Sequence, residues 1–148
     1  LDLGKAYEGI GEFQSALEIY NEVSEKYPQV SEAYCRLAEI RSSNKEHREA
    51  ITLIKQGLEH NKSNPQLYMT IAKEYALLEQ AEDAIQAYEK AFSLGGKRFV
   101  DAYLQISNIY ENKLRDKDMA KKYLKKYTRS GGQIQEKSQV AEMQSPNN

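Results

Sequence analysis

The sequence predicts an all-α solenoid built from four helical hairpins, and three observations support this. The chain repeats itself at a shift of 34 residues, its apolar residues recur at helical spacing, and its prolines and paired glycines fall between elements. A fixed period of a few tens of residues is typical of repeat proteins, in which each unit buries its apolar face against its neighbours. We therefore expect a stack of similar units.

The period is visible in three columns of equivalent residues, which are apolar, aromatic and small. At successive repeats these columns contain Leu3, Leu37 and Ile71; Tyr7, Arg41 and Tyr75; and Ala16, Ala50 and Ala84. A fourth copy follows with Ile106 and Tyr110 displaced by one residue, and with Ala120 displaced by a second between Glu111 and Asp118. Insertions of this kind belong in turns. The predicted units are residues 1–30, 31–64, 65–98 and 99–130, followed by 131–148.

Each unit is predicted to contain two helices, and the third unit shows this most clearly. Its apolar residues recur at helical spacing in two runs, Leu67, Tyr68, Ile71, Ala72, Tyr75 and Ala76, then Ala84, Ile85, Ala87, Tyr88 and Ala91. The small alanines let the paired helices approach closely, while Tyr75 and Tyr88 are expected to fill the wider gaps. Asn64 is expected to cap a helix beginning at Pro65, and Gly95 and Gly96 to end the sixth helix.

This pattern resembles the tetratricopeptide repeat family. The first unit carries the family's signature residues at Leu3, Gly4, Tyr7, Ala16, Tyr20 and Pro28. Departures from the family pattern occur at Val23, Arg41, Gly57 and Tyr127. The resemblance covers residues 1–129 and implies a right-handed superhelix. It also implies a module that binds another protein, through a peptide or helical segment held in a concave groove lined by the first helix of each unit.

The family offsets name the residues expected in that groove. They are Leu1, Lys5, Cys35, Arg36, Glu39, Met69, Thr70, Lys73, Leu104, Gln105 and Asn108. Leu1, Cys35, Met69 and Leu104 form an apolar column in which Cys35 is expected to be partly exposed, and the others supply mixed-charge walls. Some of these side chains have the alternative role of packing between units.

The best-understood groove of the family clamps a peptide's C-terminal carboxylate with lysines, asparagines and an arginine. In this sequence the clamp offsets hold two sets, Leu1, Lys5, Arg36, Gln66 and Thr70 or Cys35, Glu39, Thr70, Asp101 and Gln105. Neither set gathers the required cations, so the sequence does not favour a chaperone-tail adaptor.

The eighth helix concentrates positive charge and supports a rival hypothesis. Its basic residues are Lys121, Lys122, Lys125, Lys126 and Arg129, with Tyr123 and Tyr127 between them. Basic residues beside aromatics can contact phosphates and stack on single-stranded bases, or attract an anionic surface. The alternative is that the tyrosines face the hairpin and the lysines are solvated. No recognised nucleic-acid reading motif accompanies the lysines, and nucleic-acid binding is therefore not favoured.

Composition and single residues do not indicate an enzyme, a metal site or a cofactor. The net charge is −1, and charged residues interrupt every apolar stretch, so membrane insertion is not expected. His47 and His60 are expected at the two ends of one helix, and Cys35 has no histidine partner in the pattern. The sequence fixes no cellular compartment; reduced cytoplasm is the default for one cysteine.

The two ends of the chain carry separate expectations. The first unit begins about one helical turn inside the position that the other units suggest, and we expect further repeats or another domain before Leu1. Leu3 and Ile10 then form an apolar edge through which two copies can self-associate. Residues 131–148, with Ile134, Val140 and Met143, are expected to form a short capping helix or a disordered tail.

Overall fold

The computed structural model describes residues 1–133, and within them every regular element is helical. The eight α-helices are α1 (Asp2–Gly9), α2 (Phe13–Lys26), α3 (Ser31–Ser43), α4 (His47–His60), α5 (Pro65–Leu77), α6 (Ala81–Gly95), α7 (Asp101–Asn112) and α8 (Lys117–Arg129). A 3₁₀ turn, Gly96–Phe99, joins α6 to α7. The predicted all-α repeat solenoid is confirmed, whereas the tail prediction for Ile134, Val140 and Met143 lies outside the described residues.

Consecutive helices pair into four hairpins, α1–α2, α3–α4, α5–α6 and α7–α8, and each hairpin packs on the next. We number these hairpins 1 to 4. Within each, a residue with positive φ reverses the chain; the four are Gly11, Lys45, Glu79 and Arg115. The backbone N–H of the following residue donates to a carbonyl in the last turn of the first helix, as Glu46 does to Arg41 at 3.0 Å. The period therefore includes the turn geometry as well as the apolar pattern.

Two of the predicted helix ends are confirmed in detail. The side chain of Asn64 accepts hydrogen bonds from the backbone N–H groups of Gln66 and Leu67, so it caps α5 at Pro65. Helix α6 ends at Gly95, and Gly96 follows with φ of 58°. Because this region of φ suits glycine, the chain can turn there into the short 3₁₀ segment.

Small residues hold the paired helices together. Ala16, Ala50 and Ala84 are fully buried at equivalent positions of α2, α4 and α6. Bulky residues one turn later, Tyr20, Ile54 and Tyr88, are likewise almost fully buried. Burial, with a smaller contribution from the nearby Glu74 carboxylate, raises the pKa of Tyr88 to about 12.

One buried carboxylate joins hairpins 2 and 3. Glu74 on α5 is almost fully buried, and its Oε2 lies 2.9 Å from Nδ1 of His47 at the start of α4. A buried carboxylate needs such a partner, because an unpaired charge away from water is costly. His47 therefore contributes to packing between hairpins, beyond its predicted place at a helix end.

Two of the departures from the family pattern, Gly57 and Tyr127, have local explanations. At Gly57 a Cβ atom would lie 2.9 Å from Cγ of Tyr34, so the tyrosine ring occupies the space that an alanine side chain would need. Tyr127 takes the equivalent place in hairpin 4, where it is buried and its hydroxyl donates to the carbonyl of Gln133 at 3.1 Å. Gly57 thus leaves room for the ring of Tyr34, and Tyr127 contacts the segment that follows α8.

Candidate protein-binding surfaces

The first helices of the hairpins form one continuous face with two adjoining depressions. The first, of about 290 Å³, is lined by Ser31, Glu32, Cys35, Arg36, Glu39 and Gln66. The second, of about 300 Å³, is lined by Gln66, Met69, Lys73, Arg98, Phe99 and Asp101. Gln66 belongs to both, so the two depressions follow one another across α3, α5 and the start of α7. We call this the first-helix face.

Charges in the first depression compensate one another. Lys5 Nζ lies 2.7 Å from Glu32 Oε1, and Arg36 Nη1 lies 3.1 Å from Glu39 Oε2. The hydrogen bond from Lys5 holds the pKa of the Glu32 carboxyl below its ordinary value. These pairs are well exposed, so they add little stability, but they leave a partner a polar surface with little net charge.

Charges in the second depression are less balanced. Lys73, Arg98 and Asp101 are exposed around it, and Met69 is half-buried among them. The flexible thioether of Met69 can adapt its shape to an apolar group, while the two cations exceed the single carboxylate. This half of the face is therefore the better match for an apolar side chain next to an acidic one.

Two predicted groove residues contribute less than expected. Cys35 is only 5% exposed, so the expectation of a partly exposed cysteine is wrong. Burial raises the pKa of its thiol to about 11. The hydroxyl of Thr70, which is also buried, lies 3.7 Å from the sulfur and 3.0 Å from the carbonyl oxygen of Gln66, its nearer acceptor. A buried, protonated thiol is a poor nucleophile, and Cys35 and Thr70 pack α3 against α5.

The remaining predicted groove residues lie at the ends of the face. Leu1 is half-buried and packs on the small core of hairpin 1, where Tyr20 is central. Leu104 and Gln105 are half-buried on α7, and Asn108 is exposed one turn later. None of these four lines the two depressions at the centre of the face.

Sequence reasoning missed two residues that shape the second depression. Arg98 and Phe99 come from the connection between α6 and α7, where the fourth repeat carries its first extra residue, whereas Asp101, which the sequence placed only at a clamp offset, begins α7. That insertion was visible in the alignment of the chain with itself. Its effect on the first-helix face was not, because the 3₁₀ turn that redirects these side chains has no counterpart in the other connections.

Besides the two depressions of the first-helix face, a concavity of about 430 Å³ lies between the second helices of hairpins 2 and 3. It is lined by Lys55, Leu58, Tyr68, Ile71, Tyr75, Asp83, Gln86, Ala87 and Lys90. We call it the second-helix groove. Tyr75 was expected to fill a gap between helices, but it is only half-buried and forms part of the groove wall.

The predicted basic patch on α8 is smaller than the sequence suggested. Lys121, Lys122, Lys125 and Arg129 are exposed. Lys126 instead lies with its Nζ 4.3 Å from the ring centre of Tyr123, which removes it from the exposed set. Tyr123 and Tyr127 are buried, so neither is available to stack on a base.

Neither a membrane-spanning helix nor a metal site is present within residues 1–133. None of the helices there combines the length and apolar character that a membrane crossing requires. No group of three histidine, cysteine or acidic side chains in that range is arranged to hold a metal ion.

Comparison with known proteins identifies the repeat and the fold. Two family models described as tetratricopeptide repeat match the chain, one over residues 9–74 and the other over residues 65–94 and 100–130. A search of curated proteins found no match. The family models therefore cover α2 to α8, which carry most of the sequence motifs.

Solved structures of MamA have a similar fold. One MamA crystal structure is 30% identical with a TM-score of 0.77, and the match covers 88% of this chain and 75% of that chain. A second is 27% identical with a TM-score of 0.76, covering 100% and 76%. MamA from Desulfovibrio magneticus RS-1 is 19% identical with a TM-score of 0.73, covering 87% and 72%, and shows the fold alone.

Proposed function

The chain belongs to the tetratricopeptide repeat family, which makes it a protein-interaction module, and we propose that it binds a peptide segment of a partner on its first-helix face. The observation that carries this proposal is the pair of adjoining depressions that share Gln66. Together they give an extended partner a continuous track across three hairpins. The resemblance to the family independently points to the same helices.

The chemistry of the face suggests how it would discriminate between partners. Lys5, Glu32, Arg36 and Glu39 are already paired, so a peptide that crosses them must match a fixed pattern of charge. Such complementarity gives specificity more than affinity. Met69 supplies the apolar contact on which affinity depends, because buried apolar anchors usually carry most of an interface's binding energy.

The proposal is tested by comparing captured partners between matched variants. Met69→Glu combined with Leu104→Glu places two carboxylates on the first-helix face, where both native side chains are half-buried. Leu77→Glu is the control, since Leu77 is 58% exposed on the same helix as Met69 and lines neither depression. Circular dichroism and thermal melts establish that all three proteins fold.

Partners retained by wild type and Leu77→Glu but lost from the double variant support binding on the first-helix face. Equal recovery from all three proteins contradicts it and directs attention to another surface. Nucleic acid recovered equally with every protein favours the rival reading of α8, and exchange of Lys121 and Lys125 for glutamate then removes it.

Self-association is a second candidate function, favoured by the exposed apolar edge of hairpin 1. Leu3, Ile10 and Phe13 are 54%, 73% and 52% exposed, although Leu37 and Ile71, which are equivalent to Leu3, are buried by a preceding hairpin. Light scattering over a range of protein concentrations tests this candidate. A constant monomer mass removes it, whereas a mass that rises with concentration and is reduced by Leu3→Glu supports it.

A further inference from the structure

The second-helix groove between hairpins 2 and 3 has a counterpart in sequence between hairpins 3 and 4. A shift of 34 to 36 residues places Leu58 over Phe92, Tyr68 over Tyr103, Tyr75 over Tyr110, Ala87 over Tyr123 and Lys90 over Lys126. The two grooves therefore have the same walls, an aliphatic or aromatic residue and two tyrosines. They differ most at the position of Ala87.

The counterpart groove is filled by Tyr123. Its ring stacks on Tyr110 with 5.5 Å between ring centres, and lies 6.0 Å from the ring of Tyr103. The ring of Phe92 lies 4.1 Å from that of Tyr103, and Lys126 Nζ covers Tyr123 at 4.3 Å. The hydroxyl of Tyr123 donates a hydrogen bond to Glu89. The fold thus contains an occupied version of the groove, in which the occupant is an aromatic side chain.

The junction between hairpins 1 and 2 is also occupied. There the position of Ala87 is taken by Leu53, which packs against the core that contains Leu37 and Ile40. Tyr34, the counterpart of Tyr68, is buried, whereas Tyr68 is only half-buried. The other two junctions have a large residue, Leu53 or Tyr123, at this position. Ala87 is small, and the groove between Tyr68 and Tyr75 is therefore uncovered.

We propose that the second-helix groove binds an aromatic side chain of a partner protein that has an acidic residue beside it. The aromatic preference follows from Tyr123, which shows what the same walls accept. The acidic preference follows from the rim, where Lys55 stands in place of Glu89 and Lys90 lies opposite, against the single carboxylate of Asp83. Tyr123 meets the carboxylate of Glu89 in the counterpart groove, whereas an occupant of the second-helix groove would meet the ammonium group of Lys55.

The dimensions of the groove suit this occupant. Its volume of about 430 Å³ is within the ~300–1,000 Å³ of ordinary ligand pockets. Lys55 Nζ already lies 6.0 Å from the centre of the Tyr75 ring. It is therefore close to the wall against which the incoming ring would stack, and can pair with a carboxylate on the neighbouring residue. This surface is separate from the first-helix face.

The test uses defined peptides and an isotope-labelled full chain. Acetylated, amidated Glu-Phe-Glu is titrated against the protein and followed by backbone amide chemical shifts. Two comparison peptides, Glu-Leu-Glu and Lys-Phe-Lys, separate the aromatic from the acidic contribution. We expect saturable shifts around Leu58, Tyr75 and Ala87, with binding about fivefold weaker for each comparison peptide, which corresponds to the roughly 1 kcal/mol that stacking and a desolvated cation are each worth.

Ala87→Tyr supplies the matched variant, because it fills the groove from within as Tyr123 does next door. We expect it to abolish the shifts, whereas Ser93→Tyr, which adds the same side chain at an exposed position of α6 outside the groove, leaves them unchanged. The Met69→Glu and Leu104→Glu variant should bind Glu-Phe-Glu like wild type. Peptide binding by this variant therefore distinguishes a failure of this inference from a failure of the proposed function.

Several results would overturn the proposal. Absence of saturable shifts around the groove, equal affinity for the three peptides, or full binding by Ala87→Tyr each contradicts it. Loss of binding in the first-helix variant with retention in Ala87→Tyr places the peptide on the other face. Self-association of the wild-type chain that disappears in Ala87→Tyr makes a second copy the occupant, and so removes the assignment to a partner protein.

Discussion

The groove between hairpins 2 and 3 and the groove between hairpins 3 and 4 share two tyrosine walls, yet one is a surface and the other is core. Tyr68 and Tyr75 form the walls of the first, and Tyr103 and Tyr110 those of the second. Tyr123 fills the second groove and is only 5% exposed. Ala87, at the equivalent position of the first, leaves it open.

This difference shows how a repeat protein can create a binding surface without altering its backbone. In a solenoid each hairpin contacts only its neighbours, so a change at one junction leaves the others intact. Removing one large side chain uncovers apolar walls that the fold has already positioned. The exchange of Glu89 for Lys55 on the rim changes the sign of the charge that an occupant would meet.

Opening the filled groove tests most directly whether Tyr123 accounts for the difference between the two grooves. Tyr123→Ala should lower the free energy of unfolding by about 3–4 kcal/mol, the usual cost of removing a buried aromatic side chain. Tyr123→Phe loses only the hydrogen bond to Glu89 and should cost about 1 kcal/mol. Urea denaturation measures both. A loss for Tyr123→Ala no larger than that for Tyr123→Phe would mean that the ring stack contributes little.

Hairpin 2 also differs from hairpin 3 in its internal packing, where Gly57 stands at the position of Ala91. Gly57→Ala should lower stability by about 1–2 kcal/mol. The new methyl group would meet the ring of Tyr34, at a cost of about 1–3 kcal/mol, and the better helix propensity of alanine recovers up to about 1 kcal/mol.

Gly9→Ala is the matched control for Gly57→Ala, since a Cβ atom at Gly9 meets nothing within 4 Å. It should leave stability unchanged or slightly raised, as judged by the urea midpoint. If Gly57→Ala behaves like Gly9→Ala, then α3 and α4 can separate without cost, and the close approach at Gly57 does not hold hairpin 2 together.

Filling the open groove is the reverse of the first experiment. Ala87→Tyr should raise the free energy of unfolding by about 1 kcal/mol, because the added ring gains two aromatic neighbours, Tyr68 and Tyr75. Ser93→Tyr should have no effect on the thermal midpoint, since Ser93 is exposed. A fall in stability for Ala87→Tyr would show that the walls do not accept a ring, which would also weaken the inference drawn from Tyr123.

The sequence was sufficient to predict the helices, because the period places Ala16, Ala50 and Ala84 at equivalent buried positions. It was also sufficient to predict the cap at Asn64, whose chemistry is local. The exposure of Cys35 was mispredicted, since its burial depends on how closely α3 approaches α5, and the repeat does not encode that distance. The contribution of Arg98 and Phe99 to the second depression was not predicted either, because it depends on the 3₁₀ turn between α6 and α7.

The second-helix groove could be predicted from the sequence only in part. The substitution of Ala87 for a large residue is visible in the sequence, because Leu53 and Tyr123 occupy the equivalent positions. The open groove that results is not visible in the sequence, since an alanine at this position is compatible with close packing as well as with a groove. Only the positions of Tyr68 and Tyr75 show that the walls stay apart.

The smallest expected effect concerns the turns, where hairpin 1 has glycine at the residue with positive φ and the other hairpins do not. Gly11 has positive φ in hairpin 1, whereas Lys45 adopts φ of 65° at the equivalent position of hairpin 2. A left-handed conformation costs a residue with a Cβ atom about 1–2 kcal/mol, and glycine loses about 0.5–1 kcal/mol more entropy on folding. Lys45→Gly should therefore raise stability by a net ~0.5 kcal/mol, and Lys45→Ala should not, because alanine keeps the Cβ atom. Equal unfolding midpoints for the two variants would indicate that the turn is not strained.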